Sequence, residues 1–183
     1  LVRDGVKDAP FWRPAMPRTG TPMSVLLSNF GPLGWVTDKE RGYRYEPAHP
    51  KTGAPWAPIP QMLYDLWNDL TDYPAPPEAC LINWYTEKSK MGLHVDNDEQ
   101  AVNAPVVSVS LGDPARFRIG GAARGGKTHS LKLSSGDVVV LAGQARQCYH
   151  GVDKIYAGGS TLVPKGGRIN LTMRRVTRPA PMR

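Results

Sequence analysis

Eight short segments with the composition of β-strands follow one another between residues 79 and 174. Glycine, proline and aspartate residues lie between these segments and favour turns. The 18 prolines and 19 glycines of the chain favour short strands and turns over a helical bundle. The sequence therefore predicts a mainly β fold with few helices, as a sandwich, a barrel or a jelly roll. The segments are CLINWYT, GLHVD, VVSVSL, ARFRIG, HSLKL, DVVVLAG, QCYHGV and RINLTMR.

The part of the chain before residue 79 contains one clear helical pattern. In residues 60–71, five apolar side chains recur at helical spacing and predict one buried face: Met62, Leu63, Leu66, Trp67 and Leu70. The apolar run at 23–29 predicts a short strand. Residues 34–58 interleave aromatic with basic residues and follow no core period, so we expect an exposed loop or hairpin there.

The composition is that of one globular domain spanning residues 1–183 with a basic surface. No stretch approaches the roughly 20 apolar residues of a membrane helix, and no signal peptide is recognisable, so we expect a cytoplasmic protein without a membrane partner. The two cysteines, Cys80 and Cys148, are too few for a disulfide framework and suit a reducing compartment. The net charge of +7 favours a polyanionic partner, such as nucleic acid.

A candidate metal site is formed by His94, Asp96 and His150. His94 and Asp96 are two residues apart in GLHVD, and an extended backbone points both side chains to the same side. His150 follows in QCYHGV, in another predicted strand. Two imidazoles and one carboxylate form the facial triad of non-haem Fe(II) oxygenases, which leaves metal positions open for oxygen and a co-substrate. Alone, an H-x-D motif is weak, because a single histidine is more often a hydrogen-bonded structural residue.

The last segment, residues 168–174, strengthens this hypothesis. Its side chains alternate, so Arg168, Asn170, Thr172 and Arg174 face one way and apolar residues face the other. Burying two arginines is costly unless an anion compensates them. The guanidinium fork pairs bidentately with carboxylates, so a dicarboxylate co-substrate is favoured. The alternative for the strand alone is an edge position with a solvated polar face.

From about residue 20 to residue 174 the sequence resembles the AlkB family of Fe(II)- and 2-oxoglutarate-dependent nucleic-acid dealkylases, particularly the bacterial type. The resemblance is carried by LINWY at 81–85, LHVDNDE at 93–99, APVVSVSLG at 104–112, GDVVVLAG at 136–143, YHG at 149–151 and the R-x-N-x-T-x-R strand. It implies a double-stranded β-helix, a jelly roll with the metal inside its open end. The catalytic core is then residues 79–175, and residues 20–58 form a nucleotide-recognition lid.

The resemblance also implies how the metal and co-substrate are bound. Fe(II) is expected on the catalytic residues His94, Asp96 and His150, with 2-oxoglutarate and O2 as co-substrates. Asn83 and Tyr85 are expected to hydrogen-bond 2-oxoglutarate. Arg168 is expected to pair with its distal carboxylate, Asn170 to support it, and Arg174 to lie near its metal-bound end.

The implied lid contacts concern the substrate. Trp35 matches the residue that stacks on a flipped base, although a core aromatic is the alternative from sequence alone. Tyr43 and Tyr45 match residues near the nucleic-acid backbone. Arg124 matches a further substrate contact, and Met23 lines the same pocket in this interpretation.

Asp98 is a candidate for chemical selectivity. The lesions 1-methyladenine and 3-methylcytosine are cationic at neutral pH, and a nearby carboxylate attracts them over the normal bases. The alternative is that Asp98 and Glu99 only cap a turn. The sequence departs from the family pattern at Leu141, where a relative carries tryptophan, in the loop 36–42, which is one residue longer, and in the loop 122–129.

The predicted function is oxidative dealkylation of N-alkylated bases in DNA or RNA, by a monomer acting on single strands or flipped bases. Decarboxylation of 2-oxoglutarate is coupled to hydroxylation of the alkyl group, which then leaves as an aldehyde. Three alternatives remain at this point: an oxygenase of proteins or small molecules, a non-catalytic nucleic-acid-binding jelly roll, and a zinc hydrolase. The preferences for DNA or RNA and for particular alkyl adducts stay open.

Overall fold

The computed structural model describes residues 1–180. Each of the eight predicted segments contains a strand, so the prediction of a mainly β chain with few helices is confirmed. In chain order the elements are α1 (Val2–Gly5), β1 (Leu26–Phe30), β2 (Gly34–Asp38), β3 (Gly42–Glu46), α2 (Gln61–Leu70), β4 (Ala79–Tyr85), β5 (Met91–His94), β6 (Val106–Gly112), β7 (Ala115–Ile119), β8 (His129–Leu133), β9 (Val138–Leu141), a 3-10 helix (Gly143–Gln147), β10 (His150–Ile155) and β11 (Arg168–Arg174).

The strands form two larger antiparallel sheets and one hairpin. The five-stranded sheet has the order β1-β4-β11-β6-β9, and the four-stranded sheet has the order β5-β10-β7-β8. The hairpin consists of β2 and β3. From β4 onward, the chain passes repeatedly from one of these two sheets to the other. Two antiparallel sheets connected in this way are the layers of a jelly roll.

Strand β11 occupies the centre of the five-stranded sheet, between β4 and β6. Its apolar side chains Leu171 and Met173 are buried in the core cluster that also contains Trp67 of α2. Its polar side chains are buried as well, on the face toward the other sheet. The edge-strand alternative for this segment is therefore wrong.

Helix α2 covers the outer face of the five-stranded sheet, at the predicted position. Leu63 and Trp67 are buried against Phe30 and Met173. Met62 and Leu70, however, are 59% and 43% exposed, so the predicted apolar face is too wide. The difference arises because only the middle of this ten-residue helix contacts the sheet.

Residues 34–58 contain the β2–β3 hairpin, as the sequence allowed, but part of this region is buried. Val36 and Trp56 belong to a second core cluster with Trp12, and the Trp12 and Trp56 rings stack at 5.6 Å. The expectation of an exposed layer is thus wrong for these residues. The apolar cluster anchors the base of the hairpin, while Tyr43 near its tip is 44% exposed.

Within residues 1–180, no helix has the length and apolar character needed to cross a membrane.

Candidate active site

The three predicted metal ligands lie together between the two large sheets. Pairing of β5 with β10 places His94 directly opposite His150, and Asp96 follows two residues after His94. Their ligand atoms all lie within 4.8 Å of one another. Asp96 Oδ1 is 3.5 Å from His94 Nε2, and Asp96 Oδ2 is 3.7 Å from His150 Nε2.

Backbone carbonyls orient both imidazoles of this triad. His94 Nδ1 is 2.9 Å from the carbonyl oxygen of Gly92, and His150 Nδ1 is 3.0 Å from that of Cys148. When each Nδ1–H donates to its carbonyl, the Nε2 lone pair faces the centre of the triad. A hydrogen bond of this kind at the second ring nitrogen fixes the tautomer and the ring orientation of a metal-binding histidine.

Asp96 is buried and charged. Burial by itself raises the pKa of this carboxyl, but the guanidinium of Arg174, 2.7 Å away, and the two imidazoles reverse the effect and hold the pKa far below its usual range. Oδ2 accepts no hydrogen bond among the described residues. An ionised carboxylate whose two oxygens lie near the two Nε2 atoms, one oxygen to each, suits a cation.

The two histidines differ in their electrostatic surroundings. Burial by itself acts to lower the pKa of both imidazoles. For His94 the hydrogen bond and charge of Asp96 outweigh burial, and the pKa is raised above its ordinary value. For His150 burial dominates and the pKa is lowered.

Arg168 provides a buried positive charge at the other end of the cavity. The residue is 1% exposed, its Nη2 donates to Ser110 Oγ at 2.9 Å, and its guanidinium lies 5.3 Å from the centre of the Tyr85 ring. Burial lowers the pKa of Arg168. Nε and Nη1 have no hydrogen-bond partner among the described residues, so the side chain is suited to an incoming carboxylate.

The register between β4 and β11 aligns the remaining predicted 2-oxoglutarate contacts. Tyr85 pairs with Arg168, and Asn83 pairs with Asn170. The Asn170 amide donates to Ser108 Oγ at 2.7 Å and accepts from Thr172 Oγ1 at 2.9 Å. Its orientation is therefore fixed by the protein itself.

A cavity of about 500 Å³ connects the triad with Arg168 and opens under the hairpin. Leu141, one of the departures from the family pattern, lies in its wall. All but one of the predicted site residues line it: Met23, Trp35, Tyr43, Asn83, Tyr85, His94, Asp96, Asp98, Arg124, His150, Arg168, Asn170 and Arg174.

Aromatic and charged groups surround the mouth of the cavity. The rings of Trp35 and Tyr43 stack at 5.4 Å, and the indole N–H of Trp35 donates to Asp98 Oδ2 at 2.8 Å. Trp35 is only partly buried, which disfavours a role confined to the core. Arg124 is exposed, with its guanidinium 5.7 Å from the centre of the Tyr149 ring.

Tyr45 is the predicted site residue that does not line the cavity. Its hydroxyl points inward, donates to Glu99 Oε1 and accepts from Arg174 Nη1. Its predicted position near a nucleic-acid backbone stays a prediction. The substrate and co-substrate roles of the other residues also remain predictions.

Several residues that support the site were not identified from the sequence. Ser108 and Ser110 could have been recognised from the sequence, because they alternate with valines on β6 and their side chains therefore face the same way. For Glu99 the sequence suggests only a turn-capping role, although its side chain is fully buried beside two arginines. Arg146 in the 3-10 helix had no signal, because its contacts lie more than 40 residues away in the chain.

The donor set fits Fe(II) and a dicarboxylate. Two neutral imidazole nitrogens and one ionised carboxylate suit a divalent transition metal with open positions. The unpartnered donors of Arg168 and Nε of Arg174 suit the carboxylates of 2-oxoglutarate. The mechanism of a zinc hydrolase does not account for the two buried arginines, Arg168 and Arg174.

Comparison with known proteins agrees with this geometry. The family model of the 2OG-Fe(II) oxygenase superfamily matches residues 1–174. The AlkB homolog of Caulobacter vibrioides, described as an alpha-ketoglutarate-dependent dioxygenase, is 53% identical over 95% of this chain and 78% of its own length. Escherichia coli AlkB is 42% identical over 95% of this chain and 81% of its own length.

A solved structure, that of OsALKBH1, has the same fold. It superposes with a TM-score of 0.80 at 30% identity, over 95% of this chain and 87% of its own. The predicted jelly roll is thereby confirmed. This chain is a member of the AlkB family within the 2OG-Fe(II) oxygenase superfamily, and is a dioxygenase that uses Fe(II), 2-oxoglutarate and O2.

Proposed function

We propose that this dioxygenase removes alkyl groups from N-alkylated bases of DNA or RNA, such as 1-methyladenine and 3-methylcytosine. The observation that carries the proposal is the stacked Trp35–Tyr43 pair beside Asp98, at the mouth of the cavity that contains the triad. Stacked aromatic side chains next to a carboxylate suit a flat, cationic base. The net charge of +7 suits a polyanion.

The residues of the chain bind and orient the reactants in this proposal. His94, Asp96 and His150 hold Fe(II), while Arg168 pairs with the distal carboxylate of 2-oxoglutarate and Asn83 and Tyr85 orient it. When bound, Fe(II) supplies the oxidative chemistry by which O2 converts 2-oxoglutarate to succinate and carbon dioxide and an N-alkyl C–H bond to C–OH. The apolar walls of the cavity exclude water from the reacting groups. The N–C bond of the hydroxylated adduct then breaks and releases an aldehyde and the unmodified base.

The substrate base must leave its stack to reach the triad. Flipping a base out of a duplex costs a few kcal/mol, and less when alkylation already blocks pairing. Stacking on Trp35 returns roughly 1–3 kcal/mol. This balance favours single-stranded or damaged, unpaired bases over normal duplex.

Three further properties complete the proposal. The chain acts as a monomer, because one chain contains the complete triad and both arginines. Residues 20–58 act as the lid and residues 79–175 as the catalytic core of a single domain. The cytoplasm is its compartment, in keeping with the free thiols Cys80 and Cys148.

The test is a dealkylation assay on a short oligonucleotide that carries one 1-methyladenine. The protein is incubated with Fe(II), ascorbate, 2-oxoglutarate and air, and the oligonucleotide is followed by mass spectrometry. His94→Ala and a reaction without 2-oxoglutarate are the controls. Loss of one methyl group only in the complete wild-type reaction is the expected result.

The same assay separates the alternatives. Formation of succinate without loss of the methyl group would redirect the search to other adducts, or to a protein or small-molecule substrate. Absence of both products, in folded protein that binds Fe(II), would contradict the proposed function.

A further inference from the structure

Glu99 has a buried carboxylate in a position that the proposed reaction leaves without a role. Its side chain is 0% exposed, and Glu99 does not line the cavity around the triad. A buried carboxylate is costly unless positive charge and hydrogen-bond donors compensate it. Three different parts of the fold provide these groups.

The first group belongs to the hairpin. The Tyr45 hydroxyl on β3 donates to Glu99 Oε1, although residues 45 and 99 are far apart in the sequence. Trp35, the stacking residue of the proposed function, lies directly opposite Tyr45 across the hairpin. Glu99 therefore contacts the hairpin residue that pairs with the proposed base-stacking side chain.

The second group belongs to the co-substrate site. Arg174 Nη1 donates to Glu99 Oε1 at 3.0 Å and to the Tyr45 hydroxyl at 3.1 Å. The Nη2 atom of the same guanidinium lies 2.7 Å from Asp96 Oδ1, and within residues 1–180 Nε has no hydrogen-bond partner. Arg174 thus contacts the hairpin with one nitrogen and the metal ligand with another, and a third nitrogen is free for an anion.

The third group holds the loop that carries the metal ligand. Arg146 Nη2 donates to Glu99 Oε2 at 3.0 Å. Its other nitrogens donate to the backbone carbonyls of Asp96 and Ala104. Both oxygens of Glu99 are therefore used, one toward the hairpin and Arg174 and the other toward the backbone of Asp96.

We infer that Glu99 is a positioning residue that couples the hairpin to the co-substrate site. The inference rests on the proposed function for the assignment of Arg174 to 2-oxoglutarate. A carboxylate bound to Arg174 restricts the guanidinium, and the restricted Nη1 then holds the Tyr45 hydroxyl and Glu99 in place. Binding of 2-oxoglutarate thereby stabilises the β2–β3 hairpin over the cavity, and by linkage a stabilised hairpin tightens the binding of 2-oxoglutarate.

This coupling gives an order to the reaction. The hairpin is held more firmly when the co-substrate is in place, so the base-stacking surface is best ordered in a protein that is ready to react. Base capture by an enzyme without 2-oxoglutarate is disfavoured. Glu99 does not need to touch the base or the metal for this effect.

The test is hydrogen–deuterium exchange of the hairpin amides, residues 34–46, without and with 2-oxoglutarate. Protein loaded with Mn(II) under nitrogen is used, so that no turnover occurs and no nucleic acid is needed. In the wild type we expect 2-oxoglutarate to slow exchange of these amides about fivefold or more. In Tyr45→Phe, measured at a 2-oxoglutarate concentration that saturates the variant, the effect falls below about twofold.

Matched variants separate coupling from general loosening. Glu99→Gln is expected to lose the protection and also to weaken 2-oxoglutarate binding, measured by calorimetry. Glu78→Gln is its control, because Glu78 likewise accepts several hydrogen bonds, from Val176 and Thr177 beyond the end of β11. Tyr64→Phe in α2 is the control for Tyr45→Phe. Both control variants keep the wild-type response.

Full 2-oxoglutarate-dependent protection in Tyr45→Phe would overturn the inference, and so would a wild-type hairpin that does not respond. If Glu99→Gln does not fold, Tyr45→Phe decides. The outcome is independent of the dealkylation assay. A coupled hairpin in a protein that removes no alkyl group would contradict only the proposed substrate.

Discussion

At the scale of single residues, the carboxylate of Asp98 makes two contributions, a hydrogen bond and a negative charge. Its Oδ2 holds the indole N–H of Trp35, and its charge lies at the mouth of the cavity. An amide in place of the carboxylate can keep the hydrogen bond but not the charge. The two contributions can therefore be separated by one substitution.

Asp98→Asn is expected to reduce the preference for a cationic lesion over a neutral one by about tenfold, because attraction between charges near a protein surface is worth on the order of 1 kcal/mol or more. The measurement compares kcat/KM for 3-methylcytosine and 3-methylthymine in the same oligonucleotide. The 2-oxoglutarate affinity is the control. An unchanged ratio with normal co-substrate binding would show that Asp98 has no role in selectivity.

Arg168→Met is expected to weaken 2-oxoglutarate binding about 30-fold or more, because truncating one partner of a buried charge pair costs roughly 2–5 kcal/mol. The thermal stability of the co-substrate-free protein should not fall, since the variant removes a buried charge with unpartnered donors. Calorimetric titration and thermal unfolding measure the two effects. Arg116→Met, at a side chain 45% exposed, is the control, and equal affinities in the two variants would refute the role of Arg168.

Side-chain direction could be predicted from the sequence wherever strand alternation determines it. The polar face of β11 and the common side of His94 and Asp96 follow from a period of two. Glu99 and Arg146 could not be assigned, because their partners are brought together by strand order and not by spacing. The contacts of the Tyr45 hydroxyl with Glu99 and Arg174 could not be predicted either, because these residues lie 54 and 129 positions away in the chain.

At the scale of elements, the metal site depends on close contact between β5 and β10. A Cβ atom on Gly151 would lie 2.5 Å from the carbonyl oxygen of Met91 and 2.9 Å from that of Gly92. Gly151 follows His150, and His150 pairs with His94. Any side chain at position 151 therefore pushes the two histidine-bearing strands apart.

Gly151→Ala is expected to weaken Mn(II) binding about tenfold or more, because sub-ångström displacement of ligands is costly at a metal site. Gly92→Ala is the matched control on the neighbouring strand, since nothing lies within 4 Å of a Cβ atom there. Metal titration followed by calorimetry measures both variants. Equal losses of affinity would contradict the explanation from strand separation.

His49 holds together the loop that follows the hairpin. It is 2% exposed, its Nε2 donates to the carbonyl of Pro10, and its Nδ1 accepts from the backbone N–H groups of Lys51 and Thr52. Burial lowers the pKa of His49. The unfolded chain therefore binds the proton more readily than the folded protein.

The stabilisation from neutral His49 should be present above the ordinary histidine pKa and be lost as pH falls below it, toward the lowered value of the folded state. His49→Ala is expected to destabilise the protein by about 1–3 kcal/mol at neutral pH. It should also flatten the acid side of the profile of melting temperature against pH. A variant with an unchanged slope between neutral and mildly acidic pH would contradict this assignment.

The positions of elements could be predicted better than their arrangement. Turn residues and apolar runs located all eight later strands and α2, each to within a few residues. The hairpin at 34–46 could only be left open as a loop or hairpin, because Trp35, Tyr43 and Tyr45 interleave with basic residues and conceal the alternation. The central position of β11 depends on pairing across more than 80 residues, which no local pattern encodes.

At the scale of the whole molecule, the net charge of +7 acts on any polyanionic substrate. Binding of the alkylated oligonucleotide should weaken linearly on a plot of log affinity against log salt concentration, because phosphate contacts release counterions. Fluorescence anisotropy at 50–200 mM salt measures this affinity. The expected slope of the plot is roughly −0.7 for each phosphate of a single strand that the protein contacts. A slope near zero would contradict a nucleic-acid substrate.

The central place of β11 has a consequence for the synthesis of the protein. Strands β4 and β6 leave the ribosome long before residues 168–174, and at roughly 5–20 residues per second the wait lasts several seconds. During that interval the edges of both strands that later pair with β11 lack their partner and are open to other chains. A nascent chain arrested before Arg168 lacks both arginines and the middle of its main sheet. We expect such a chain to be a target for chaperones and proteases, and only a chain that includes β11 has the arginines proposed to bind the co-substrate.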